Sequence, residues 1–176
     1  VGLPGTGKTF FAQCLSGELN RPLVILNLAF LQAKENPIQE LNNIFEYLNN
    51  TNSKQLILID EIEKMVGTGE DPLTGRLMTI LSDLYSSAGE YKKLDVLVLA
   101  TANNLNSILD NQPALLRRGR FDELFFQNTP KTDEVEEYFN LYAKKYKLET
   151  ALEMYGTTKL IKDIGKEYEE INPQSK

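Results

Sequence analysis

Gly2-Leu3-Pro4-Gly5-Thr6-Gly7-Lys8-Thr9 follows the spacing G-x-x-x-x-G-K-[ST], and this stretch decides how the rest of the chain is read. Glycines let the backbone curl so that successive N–H groups point inward at phosphate oxygens. The lysine then reaches the β- and γ-phosphates, and the last hydroxyl ligates Mg²⁺. Such a loop follows a buried strand and opens a helix, whose positive end also faces the phosphates. Phe10-Phe11-Ala12-Gln13-Cys14-Leu15 supplies the helix. Only Val1 stands before Gly2, so the chain is expected to be a fragment of a longer polypeptide, cut just inside the nucleotide site.

The chain has 176 residues, enough for one domain with a small appendage, and its apolar content of 41% is ample for a core. No apolar run approaches the length needed to cross a bilayer. Cys14 is the only cysteine, which rules out an internal disulfide and a cysteine-built zinc site. It falls on an apolar helix face and is expected to be buried as a small hydrophobe. With no histidine, histidine-dependent triads and phosphohistidine chemistry are excluded. The formal charge is −6; residues 1–127 carry 11 basic against 15 acidic groups and residues 128–176 carry 8 against 10. Neither part is a basic patch that would neutralise nucleic-acid phosphates, so nucleic-acid binding is disfavoured.

Leu23-Val24-Ile25-Leu26, Leu56-Ile57-Leu58-Ile59 and Val96-Leu97-Val98-Leu99-Ala100 are short continuous apolar runs, which predict strands buried on both faces. Phe125-Phe126 is expected to end a fourth, short strand. Between them, Ile38, Leu41, Ile44, Phe45 and Leu48 recur at helical spacing after Asn36-Pro37. Leu73, Leu77, Ile80, Leu81 and Leu84 do so after a cap at Asp71 and a first-turn Pro72. Alternating strands and helices imply an α/β fold with a parallel sheet, here a P-loop three-layer sandwich over residues 1–129. After Thr129-Pro130, Val135, Tyr138, Phe139, Tyr142 and Tyr146 form one helical stripe, and Leu160-Ile161 with Ile164 a weaker one. Residues 130–176 are read as the start of a small helical lid whose end is missing.

Asp60-Glu61 ends the second strand, at the sheet edge where ligands of such folds bind. Asp60 can hold Mg²⁺ directly or through water, and Glu61 can polarise the water that attacks the γ-phosphate. Ala100-Thr101-Ala102-Asn103-Asn104 ends the third strand, where an amide can bond the attacking water or the γ-phosphate. Leu115-Leu116-Arg117-Arg118-Gly119-Arg120-Phe121-Asp122 brings three arginines close together. A further cation stabilises the charge that spreads over the γ-phosphoryl oxygens, and a planar, permanently charged guanidinium does this well.

These four segments, in this order, resemble the AAA family of ATPases over about residues 1–130. The wording A-T-A-N-N and L-L-R-R-G-R-F-D-E-x-F-F is most similar to an uncharacterised branch of cyanobacteria and plastids. The resemblance implies ATP and Mg²⁺ as ligands, bound along Pro4, Gly5, Thr6, Gly7, Lys8, Thr9 and Phe10, with Thr9 and Asp60 on the metal. It implies Glu61 as catalytic base and Asn103 as the sensor asparagine, with Asn104 as the alternative. Arg117 and Arg120 would be arginine fingers acting on the neighbouring subunit's nucleotide, which requires a ring, normally a homohexamer. Arg118 receives no role, and Asn27 is either a switch for Glu61 or a helix cap. The expected compartment is the cytoplasm, or the plastid stroma if the plastid-type likeness holds.

One departure bears on function. Many relatives grip polypeptide with an aromatic–hydrophobic–glycine loop between the family's second strand, here Leu23–Leu26, and the next helix. Here Leu28 to Pro37 holds no glycine, and Phe30 and Leu31 are expected to pack their helix. Gly67-Thr68-Gly69-Glu70 is a candidate for a second pore loop. The first expectation is an ATP-hydrolysing module that remodels a protein partner. The rival is a nucleotide-dependent assembly or scaffold switch with slow or no hydrolysis. A DNA- or clamp-loading ATPase is disfavoured by acidity, and a small phosphotransferase gives no reason for the arginine segment.

Overall fold

Three parallel strands carry the structure, a computed structural model describing residues 1–51, 53–65, 71–86, 89–91 and 94–148 with Thr150, Gly156, Lys159, Lys162 and Asp163. The elements run α1 (Lys8–Glu18), β1 (Leu23–Leu26), α2 (Leu28–Gln32), α3 (Pro37–Asn50), β2 (Gln55–Ile59), a 3-10 turn at Ile62–Met65, and α4 (Pro72–Tyr85). They continue with β3 (Val96–Ala100), α5 (Leu105–Asn111), a second 3-10 turn at Pro113–Leu116, and α6 (Thr132–Tyr146). The chain divides into two compact units, Val1–Asn128 and Thr129–Lys176.

In the first unit the strand order is β1-β2-β3. Register pairs Leu26 with Ile59 and Ile59 with Ala100, so all three strands end level. The residues that follow them, Asn27, Asp60 and Thr101, therefore share one sheet edge. β2 is central and buried at every position, as a strand covered on both faces requires. α3 and α4 pack on it through Leu41, Phe45, Leu48, Leu73, Leu77, Ile80 and Leu81, and Arg76 Nε donates to Asn42 Oδ1 at 2.6 Å between the two helices. Asp71 caps α4 as expected, its carboxylate accepting from the Thr74 N–H at 3.0 Å.

The structure corrects several sequence expectations. β1 and β3 are the two outer strands of the described sheet and neither is buried throughout: Ile25 is 54% and Leu97 37% exposed, against the expectation of burial on both faces. Phe125-Phe126 is not a strand of the sheet, and both rings are exposed. The backbone of the segment is bonded to Val1, whose N–H₃⁺ donates to the Phe125 carbonyl at 2.7 Å and whose carbonyl accepts from the Gln127 N–H at 2.7 Å. Cys14 is exposed, not buried: α1 buries only Ala12, so the apolar run Phe10–Leu15 is not an inward face. Leu31 is buried but Phe30 is exposed, with the Lys34 ammonium 4.3 Å from its ring centroid. The short helices α2 and α5 are each started by an asparagine, Asn27 and Asn104. Gly67–Glu70, Leu160-Ile161 and Ile164 lie outside the described residues.

In the second unit, the Glu134 carboxylate accepts the Lys131 N–H at 2.7 Å at the start of α6. Tyr142 and Tyr146 stack with centroids 6.2 Å apart, both exposed.

Candidate nucleotide site

The loop Gly2–Thr9 turns tightly because two glycines take left-handed backbone: φ is 81° at Gly5 and 88° at Gly7, and Gly7 is the N-cap of α1. Side chains rarely adopt that conformation. Gly2 is required for a different reason, since a Cβ there would lie 2.2 Å from the Gln127 carbonyl oxygen. The Gln127 amide also donates to the Thr6 carbonyl at 2.5 Å, clamping the loop from the far end of the unit. The first N–H groups of α1 have no carbonyl one turn back, and the helix dipole adds positive potential, so this end favours an anion. Lys8 Nζ donates to the Gly2 and Leu3 carbonyls at 2.8 Å each, which keeps the cation on the loop. Pro4 and Phe10 are exposed beside it.

Thr9 and Asp60 meet across the site: the Thr9 hydroxyl lies 3.1 and 3.2 Å from the two Asp60 carboxylate oxygens. A hydroxyl and a carboxylate are the hard oxygen donors that Mg²⁺ prefers. Among the described residues no group of three or more acidic, histidine or cysteine side chains could hold a metal unaided.

Glu61 has φ 53°, a left-handed backbone that costs a non-glycine residue of order 1–3 kcal/mol. Its carboxylate is ion-paired with Lys64, three residues on in the 3-10 turn, and accepts from Asn103 Nδ2 at 3.2 Å. The hydrogen bond from Lys64 holds its carboxyl below the ordinary glutamate value, and the Asn103 bond acts in the same direction. Asn103 is fixed in turn, its N–H donating to Glu63 Oε1 at 2.9 Å. Asn104 caps α5 with its side-chain oxygen, accepting from the Ser107 N–H at 3.3 Å. Asn27 likewise caps α2, accepting from the Phe30 N–H at 2.9 Å, as its capping alternative expects.

The structure thus brings Lys8, Thr9, Asp60, Glu61 and Asn103 into one cluster at the strand ends. The arginines behave differently. Arg117 is exposed, and its side chain makes no hydrogen bond or ion pair with the described residues. Arg120 is half-buried against its own unit, with Nη1 on the Ala114 carbonyl at 2.7 Å and on Met78 Sδ at 3.3 Å, and Nε on Ser82 Oγ at 3.1 Å. Sequence reasoning missed Thr101, Gln127 and Lys64. Thr101 alone left a signal, a hydroxyl one place after a buried strand and level with Asp60.

A family model described as "ATPase family associated with various cellular activities (AAA)" matches residues 1–129. The uncharacterized AAA domain-containing protein ycf46 of Guillardia theta is 34% identical over 151 residues, covering 82% of this chain and 28% of that protein. The ycf46 protein of Gracilaria tenuistipitata is 31% identical over 153 residues, covering 84% and 30%. A proteasome-activating nucleotidase of Saccharolobus solfataricus is 33% identical over 159 residues, covering 84% and 38%. The chain spans about three-tenths of the length of the ycf46 relatives.

Proposed function

Because the chain belongs to the AAA family of ATPases, we propose that it binds ATP with Mg²⁺ and hydrolyses it to remodel a protein partner as a homohexameric ring. The observation that carries the reading is Asp60-Glu61 at the end of the central strand, with Asp60 against Thr9 of the phosphate loop and Glu61 against Asn103. Pro4 to Phe10 wrap the triphosphate, and Lys8 leaves its two carbonyl partners for the β- and γ-phosphates. Thr9 and Asp60 hold Mg²⁺, which neutralises charge on the phosphates. Glu61 takes the proton of the attacking water, and Asn103 orients Glu61 and that water.

Arg117 and Arg120 reach the nucleotide of the adjacent subunit, where a cation stabilises the transferring phosphoryl group. The exposed Phe30, following β1, supplies an aromatic contact for a polypeptide client. Among the described residues no helix is long and apolar enough to cross a membrane. The likeness to the ycf46 proteins keeps the plastid stroma beside the cytoplasm as the proposed setting. A second reading, a nucleotide-dependent scaffold switch with slow hydrolysis, draws on one observation: Lys64 occupies the Glu61 carboxylate.

The deciding experiment is Glu61→Gln in the full-length protein. ATP binding should persist while turnover falls by about 10²–10⁴-fold, the usual contribution of a positioned base. Wild-type turnover in the variant would refute the reading. Wild-type binding of ATP with no turnover across concentrations that give a hexamer would select the switch.

A further inference from the structure

Thr101 spends every polar group on residues 59–62. Its N–H donates to the Ile59 carbonyl at 2.9 Å and its carbonyl accepts from the Ile62 N–H at 2.9 Å. Any residue continuing the ladder could make those two bonds. The hydroxyl makes two more that need a threonine or serine: it donates to Asp60 Oδ1 at 2.5 Å and accepts the Glu61 N–H at 2.8 Å. Thr101 is 6% exposed, so water does not compete for these partners.

From this geometry we infer that Thr101 is a positioning residue that sets both acids of the ATP site with one hydroxyl. The inference rests on the reading of Asp60 and Glu61 given above. Asp60 Oδ1 is held from two sides, by Thr9 of α1 and by Thr101 after β3, which fixes the carboxylate plane that would face the metal. The Glu61 N–H bond ties down a left-handed residue at the turn where its side chain leaves the strand. Partners that orient a metal ligand typically matter 10–100-fold for metal affinity when removed. The same hydroxyl couples the two acids, so its loss disturbs metal binding and the base together.

The test is Thr101→Val in the full-length protein, compared with Thr101→Ser. Valine keeps shape and burial but has no hydroxyl; serine restores it. The measurement is binding of a fluorescent ATP analogue as a function of Mg²⁺, with melting temperature recorded without nucleotide. Thr101→Val should need about 10–100-fold more Mg²⁺ for half-maximal binding, with affinity for the analogue in EDTA unchanged. Thr101→Ser should lie near wild type. A wild-type Mg²⁺ requirement in Thr101→Val overturns the inference, as does a serine variant as impaired as the valine one. Should valine melt too early to be measured, Thr101→Ala removes the same two bonds with less bulk and takes its place. Failure of the underlying reading looks different: Glu61→Gln then hydrolyses ATP like wild type, or the wild-type protein binds the analogue without regard to Mg²⁺.

Discussion

Arg117→Ala and Arg120→Ala should share a loss of hydrolysis and differ in stability, because the structure anchors the Arg120 side chain within its own unit. Each should reduce ATP hydrolysis by about 10³–10⁵-fold, the range for an arginine that stabilises phosphoryl transfer. Their effects on stability should differ. Arg120 loses a 2.7 Å bond to the Ala114 carbonyl and a 3.1 Å bond to Ser82 Oγ, along with a weaker contact to Met78 sulfur. Hydrogen bonds from a charged donor contribute about 1.5–3 kcal/mol when buried, and the half-buried setting places the pair near the low end, roughly 2–3 kcal/mol together. For a domain of this size each kcal/mol moves the melting temperature by about 2–4 °C. Arg120→Ala should therefore melt about 5–10 °C lower, whereas Arg117→Ala should melt like wild type. Thermal melts of the full-length variants, read by circular dichroism, make the comparison. Ser82→Ala supplies a control that weakens the anchor but leaves the guanidinium. Mixing Arg120→Ala with Lys8→Ala protein tests action in trans, and absence of rescued hydrolysis refutes shared sites. An unchanged melting temperature in Arg120→Ala refutes the anchoring.

Asp71→Ala should cost about 1 kcal/mol, the usual value of an N-cap, measured by urea titration near neutral pH. Burial pushes the Asp71 carboxyl up, but its bonds from Thr74 and neighbouring backbone outweigh that and leave it lowered. Its stabilisation is thus full above the unfolded aspartate value and lost as pH falls through the lowered folded value. Asp71→Ala should converge with wild type only in that acid window; a constant gap down to pH 2 would contradict the assignment. Cys14, being exposed, should react with a thiol reagent in the native protein at close to the rate seen in urea, and protection until unfolding would show the helix face to be covered. Glu61→Gly should be more stable than Glu61→Ala by about 1 kcal/mol, because only alanine retains the left-handed penalty. The reverse order in matched denaturant curves would mean that the backbone there is not imposed.

The order of strands and helices was legible because β2 and α4 obey strong rules. A run of four apolar residues, Leu56–Ile59, ending in two acids has one use in an α/β sheet, and Asp71-Pro72 states where a helix begins. Burial at the margins was not legible. The Leu23–Leu26 run reads like the one at Leu56–Ile59, yet only strand order makes one an edge and the other a centre. Apolar periodicity likewise put Cys14 inside, although helix α1 buries little but Ala12. Within the site, the residues that carry charge or a phosphate loop declared themselves by type and spacing. Those that hold them did not. Gln127 reaches the Thr6 carbonyl across 121 positions of sequence, and no local pattern marks such a partner.

The strain at Glu61 explains why so many of these supporting groups gather at one turn. A glycine would take φ 53° without penalty, but it has no carboxylate to offer. A glutamate in the ordinary strand conformation would continue β2 and send its side chain to the face of the sheet opposite Asp60. The turn after Asp60 must therefore be held by something other than its own preference. Three outside groups do so: the Thr101 hydroxyl on the backbone, Asn103 on the carboxylate, and Lys64 on its other oxygen. Two of the three come from the segment after β3, whose register with β2 is set by five consecutive pairs. The placement of the base is thus inherited from the packing of the central strands. A change that slides β3 by one residue would disable the site without touching any acid in it.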